Sequence, residues 1–171
     1  MDNDSTLTDV KPGTCSPASV WGRRAGLSLL LVIVVAGAFG VFGVHSRTVT
    51  THSDGYTLEV LYPQTARAGL DVPVRFTVRR PGGFDQGITI AVSTDYFRMF
   101  ETQGFYPDAD SSTNDGNFVY FNFDQPDGDE FVMDYDAYIQ PSAQIGKKAT
   151  VRLIVGGKIE ASTSIRTWLV P

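Results

Sequence analysis

Val74-Arg75-Phe76-Thr77-Val78-Arg79 sets apolar and charged or hydroxyl residues in strict alternation. Side chains of an extended chain point to opposite faces, so a period of two marks a strand with one wet and one buried face. The same period recurs on both sides. Tyr56, Leu58, Val60 and Tyr62 share one face before it, and Pro63, which lacks a backbone donor, is expected to end that strand. After it come Ile88-Ile90-Val92, Val119-Phe121-Phe123, Phe131-Met133-Tyr135-Ala137-Ile139, Ala149-Val151-Leu153-Val155 and Ile159-Ala161-Thr163-Ile165. About seven strands separated by turn signals predict an all-β, antiparallel sandwich. Gly156-Gly157 predicts a tight hairpin with Val155 and Lys158 flanking the turn. Pro81-Gly82-Gly83 marks another turn. Only 96–101 departs from strict alternation, which predicts one or two turns of helix there.

Upstream of the strands the pattern changes. Residues 25–44 are apolar and carry no charge, about 20 residues, enough for a helix to cross a bilayer. Arg23 and Arg24 precede this run, with Lys11 further back, and Arg47 follows it. The basic side stays inside, so residues 1–24 are expected as a disordered cytoplasmic tail and the C-terminal part as extracytoplasmic. Ala36-Gly37-Ala38 fits a signal-peptidase pattern. The apolar run continues past it and exceeds the usual signal core, which favours an uncleaved, single-pass signal anchor. The expected organisation is tail 1–24, transmembrane anchor 25–44, linker 45–55 and exported sandwich 56–171. Ala36 and Gly40 form a small-x-x-x-small pair, which raises a homodimer through the anchor. The one cysteine, Cys15, precedes the run, so the exported domain is held by packing without a disulfide.

Pro63, Gly69 and Val72-Pro-Val-Arg-Phe-Thr-Val78, with Ala137-Tyr-Ile-Gln-Pro141, Gly146 and Ala149-Thr-Val-Arg-Leu153, resemble the early and late strands of bacterial extracytoplasmic immunoglobulin-like sandwich domains. The resemblance implies an immunoglobulin-like fold and a recognition role.

The chain carries a net charge of −5. Between Asp95 and Asp136 eleven acids stand against one base, Arg98. Such a segment repels a phosphate backbone, so nucleic acid is excluded as a partner. Nucleophilic catalysis needs a positioned base, and the only histidines, His45 and His52, fall in the expected linker. No nucleophile elbow, zinc spacing or phosphate loop occurs. The expectation is therefore a protein that is not an enzyme and needs no cofactor, with a carboxylate-pair hydrolase as the remotest reading.

Two stretches are candidate sites. Tyr96, Phe97, Met99, Phe100, Phe105 and Tyr106 form an apolar cluster that either covers one end of the sandwich or contacts another membrane or envelope protein. Loops 108–116 and 124–130 concentrate carboxylates, and Asp108, Asp110 and Asp115 are the candidate ligands for calcium in an adhesive or structural module. Asp, Asn, Ser and Gly are equally the ordinary composition of turns.

Overall fold

The computed structural model describes residues 16–40 and 43–170, and the chain divides into two compact units, 1–42 and 43–171. Cys15, most of the expected tail and residues 41–42 of the expected span lie outside the described residues.

The first unit holds one helix, α1 (Pro17–Ala38), opened by a proline whose missing N–H costs nothing in the first turn. It is long and apolar enough to cross a membrane, and none of its residues is buried. Its bounds differ from those expected for the anchor. The helix starts within the expected tail, taking in Arg23 and Arg24, and stops at Ala38. Gly40 lies past the end with φ +70°, a left-handed conformation that terminates a helix. Ala36 lies in the last turn of α1 and Gly40 two residues past its end.

The second unit is an all-β sandwich of two sheets. Its elements are β1 (His45–Ser53), β2 (Tyr56–Ala66), β3 (Asp71–Arg79), β4 (Ile88–Ser93), α2 (Thr94–Phe97), β5 (Phe100–Tyr106), β6 (Ser111–Asn114), β7 (Phe118–Phe123), β8 (Glu130–Ile139), β9 (Lys148–Val155), β10 (Lys158–Arg166) and β11 (Trp168–Leu169). One sheet, A, runs β1-β2-β3-β8-β5, with β11 joining β2 in parallel. The other, B, runs β10-β9-β4-β7-β6. All other pairings are antiparallel.

The seven strands expected from alternation are all present, and so is the hairpin register Lys158↔Val155, with Gly156 at φ +57° and Gly157 at φ +80°. Four further strands, β1, β5, β6 and β11, were not expected. The stretch 45–55, read as a linker, is instead mostly β1, paired along the whole of its length with β2. The expected helix shrinks to the four residues of α2, and Phe100 already belongs to β5. Pro63 does not end β2. The ladder with β3 has already stopped at Leu61↔Arg75, and the register with β1 shifts between His45 and Ser46, opposite Thr65 and Pro63. A proline is tolerated where a ladder is interrupted.

The core lies between the sheets. Leu58, Val60, Phe76 and Val78 of A face Ile90, Val92, Val151 and Leu153 of B, all fully buried. One bond chain ties the layers at one end. Thr167 Oγ1 donates to the Pro63 carbonyl at 2.7 Å, which leaves the same oxygen to accept from the Tyr96 hydroxyl at 2.9 Å. No buried side-chain polar atom among the described residues lacks a partner.

Candidate functional surface

The aromatic stretch 96–106 is divided by the fold. Tyr96, Met99 and Phe100 are buried. Phe97 and Phe105 are half-buried and packed on the core, with Phe97 edge-on to Phe121 and Tyr135 and Phe105 stacked on Tyr135 at 4.5 Å. Phe100 and Phe105 both meet the Tyr135 ring although their positions differ by five, an odd offset that would put them on opposite faces of a regular strand. The register shift between Thr102 and Gly104 is the reason, since a bulge inserts one residue and turns the following side chain over. An exposed patch made of all six residues is thereby corrected. These five cover the core, and Tyr106 alone stands out, 79% exposed.

Tyr106 sits on β5, the terminal strand of sheet A, opposite Asp134 in register. With Gly104, Phe105, Asp134 and Asp136 it lines a shallow hollow of about 250 Å³. Asp134 accepts two bonds from Arg75, at 2.5 and 3.1 Å, and this pairing raises the arginine pKa further. Arg79 lies between Glu130 and Glu59. The wet face of sheet A is thus a ladder of compensated charge, whereas none of the ion pairs among the described residues involves Asp136.

Among the described residues no group of three or more His, Cys, Asp or Glu is placed to hold a metal ion. Asp115 instead closes the β6–β7 hairpin. Its carboxylate accepts from the backbone N–H of Phe118 at 2.7 Å and of Asn117 at 2.8 Å, and from the Tyr120 hydroxyl at 2.8 Å. These bonds hold its pKa below the usual carboxylate value, the Phe118 N–H foremost. Asp110 accepts from Asp124 N–H at 2.6 Å and so pins the two acidic loops together. Glu130 of the second loop is spent on Arg79. Of the three aspartates expected as ligands, Asp115 and Asp110 thus serve as turn and loop acceptors, and Asp108 stands exposed. The histidines lie on β1, where His52 Nδ1 meets Thr57 Oγ1 at 2.8 Å and His45 Nδ1 meets the Gly43 carbonyl at 3.0 Å.

A second surface was not foreseen. A groove of about 690 Å³ is lined by Arg47, Lys148, Arg166 and Trp168, with Tyr62 and Phe118. The Arg166 guanidinium lies 3.5 Å from the centre of the half-exposed Trp168 ring. A more apolar hollow of about 710 Å³ includes Leu70, Ala143, Leu169 and Val170. These residues are scattered along the chain, and only the topology gathers them.

No family model matches the chain, and no curated protein matches it by sequence. Similar solved structures include a complex of a CaDoc0917 variant with CaCohA2, at 11% identity, covering 62% of this chain and 94% of that one, with a TM-score of 0.43. Another is the third cohesin ScaC in complex with the ScaB dockerin from Acetivibrio cellulolyticus, at 12% identity, covering 63% and 94%, with a TM-score of 0.42. A third is the Pseudomonas fluorescens alkylpurine DNA glycosylase AlkC bound to DNA, at 14% identity and a TM-score of 0.34, covering 74% of this chain but only 30% of that one. At such identities and TM-scores these likenesses carry no function across.

Proposed function

We propose that this chain is a single-pass, membrane-anchored binding module: α1 spans the membrane with residues before it in the cytoplasm, and the sandwich outside presents a protein-recognition surface. The observation that carries the recognition reading is Tyr106. A tyrosine 79% exposed on a free sheet edge, beside Asp134 and Asp136, has the chemistry of an interface anchor. Its ring offers apolar area at little rotamer cost, and the neighbouring carboxylates favour a partner that brings lysine or arginine to the same spot. The partner is another membrane or envelope protein. The anchor reading is supported by an apolar helix with no buried residue and by Arg23 and Arg24 near its N-terminal end.

The test is photocross-linking from position 106 in intact membranes, with position 162 on the exposed face of β10 as control. A discrete adduct from 106 that disappears when Asp136→Lys is added supports the reading. Equal labelling from both positions, or none from 106, overturns it. Protease accessibility of the sandwich from outside sealed cells tests the orientation separately.

A further inference from the structure

The loops at the two ends of the sandwich carry opposite charge. At the end where β2 turns into β3 and β8 into β9 stand Arg47, Arg67, Arg98, Lys147, Lys148 and Arg166, six cations against the four acids Asp71, Asp95, Glu101 and Asp115. Two of those acids are engaged locally, Asp95 with Arg98 at 3.0 Å and Asp115 within its hairpin. At the opposite end nine acids (Asp54, Asp85, Asp108, Asp110, Asp124, Asp127, Asp129, Glu130 and Glu160) face three cations, Arg79, Arg80 and Lys158. A protein of net charge −5 therefore presents one cationic end. Arg47, Lys147, Lys148 and Arg166 enter none of the ion pairs among the described residues.

The same end exposes apolar side chains. Ile145 is 78% exposed and Trp168 50% exposed, the latter with Arg166 on its face. Leu70 is part-exposed beside the apolar hollow. Cations interleaved with tryptophan and aliphatic side chains are the composition that settles at the headgroup level of a bilayer. This is also where the chain enters the sandwich: His45, the first residue of β1, follows Ala38, the last of α1, by seven positions.

We infer that this cationic end seats on an anionic lipid surface, with Arg47, Lys147, Lys148 and Arg166 over the phosphates and Trp168 and Ile145 dipping into the headgroup layer. The inference rests on the anchored reading above. Seating there turns the acidic end away from a surface that would repel it, since attraction and repulsion both fade beyond about 10 Å at ordinary salt. Tyr106, the last residue of β5 and the farthest on that strand from the cationic end, stays clear for a protein.

The experiment uses the full chain carrying Trp21→Phe, which leaves Trp168 as its one tryptophan. It is reconstituted into phosphatidylcholine vesicles with or without about one-third phosphatidylglycerol, each doped with a headgroup spin label. Quenching of Trp168 severalfold stronger in the anionic vesicles, weakened by added salt and by Lys147→Glu/Lys148→Glu, supports the inference. Equal quenching in both compositions overturns it, because the tether alone would then explain proximity. A Trp168 emission shift with soluble polyglutamate but not with anionic lipid overturns it in favour of an acidic protein segment. Protease protection of the helix in the same vesicles separates the two readings: an inserted helix with Trp168 unquenched sinks only the seating, and an uninserted helix sinks the anchor and the seating with it.

Discussion

The Tyr96 hydroxyl lies 2.9 Å from Thr167 Oγ1, and both side chains are completely buried. Because Thr167 donates its own proton to the Pro63 carbonyl, Tyr96 must be the donor in this pair. Tyr96→Phe leaves one acceptor short of a donor and should cost about 1–2 kcal/mol. Thr167→Val orphans both the tyrosine hydroxyl and the Pro63 carbonyl and should cost more, about 2–4 kcal/mol. The double variant should lose less than the sum, because removing the hydroxyl also removes one of the orphans. Urea unfolding of the three variants measures this.

Burial, opposed by the Thr167 bond, pushes the Tyr96 phenol well above its ordinary pKa of 10.0. The unfolded chain ionises this group at about pH 10 while the folded one holds its proton. Stability from this source is complete below pH 10 and falls as pH rises beyond it. Tyr96→Phe should flatten that alkaline decline. Phenolate absorbance followed alongside circular dichroism checks it: the buried tyrosine should titrate only with unfolding.

Phe76 is fully buried at the centre of sheet A. Phe76→Ala should cost about 3–5 kcal/mol through lost transfer energy and the cavity left behind. A loss under about 1 kcal/mol in a denaturant melt would contradict its burial.

Gly146 passes against the backbone of residues 167 and 168. A Cβ there would lie 2.9 Å from Trp168 Cα and closer still to the Thr167 carbonyl. Backbone cannot swing aside as a side chain can, so Gly146→Ala should cost about 1–3 kcal/mol. Gly104→Ala, whose Cβ would meet nothing within 4 Å, should stay within about 0.5 kcal/mol. Thermal melts of the pair provide the comparison.

Asp115 is held ionised by the hydrogen bonds it accepts. A lowered folded-state pKa means its contribution is full above the ordinary carboxylate range and disappears as pH falls through the lowered value. Asp115→Ala should lower the melting temperature at neutral pH and converge on the parent in strong acid. The melting temperature of either protein should not move with calcium or with chelator. A calcium-dependent shift lost in Asp115→Ala would restore the metal reading.

What the sequence disclosed follows from which faces were buried. Strands with one wet and one dry face, such as β3, β8 and β9, print a period of two. The edge strands β1 and β6 do not. In β1 only Val49 packs on the core, and β6 is exposed throughout, so Thr, Ser, His and Arg filled both sides and read as linker or loop. In β5 the bulge broke the alternation that would have shown Phe100 and Phe105 on one face. For the candidate surfaces, Tyr106 was visible as a residue but not as the one exposed member of its cluster. The cationic end was invisible, because its residues come together only when alternate loops of a sandwich are sorted to opposite ends.

Strand β2 is held on one side by β1, directly after the chain's entry, and on its other side meets β11, reached only near residue 168. The Thr167–Pro63 bond alone joins positions 104 residues apart. Such pairings close late and slowly, for the loop entropy must be met before the contacts reward it. A chain still being synthesised cannot make this closure until residues 167–169 are available, so β2 waits for β11. Removing the residues beyond Ile165 would take away both the Thr167 bond to Pro63 and the β11 pairing, and leave β2 without its latch.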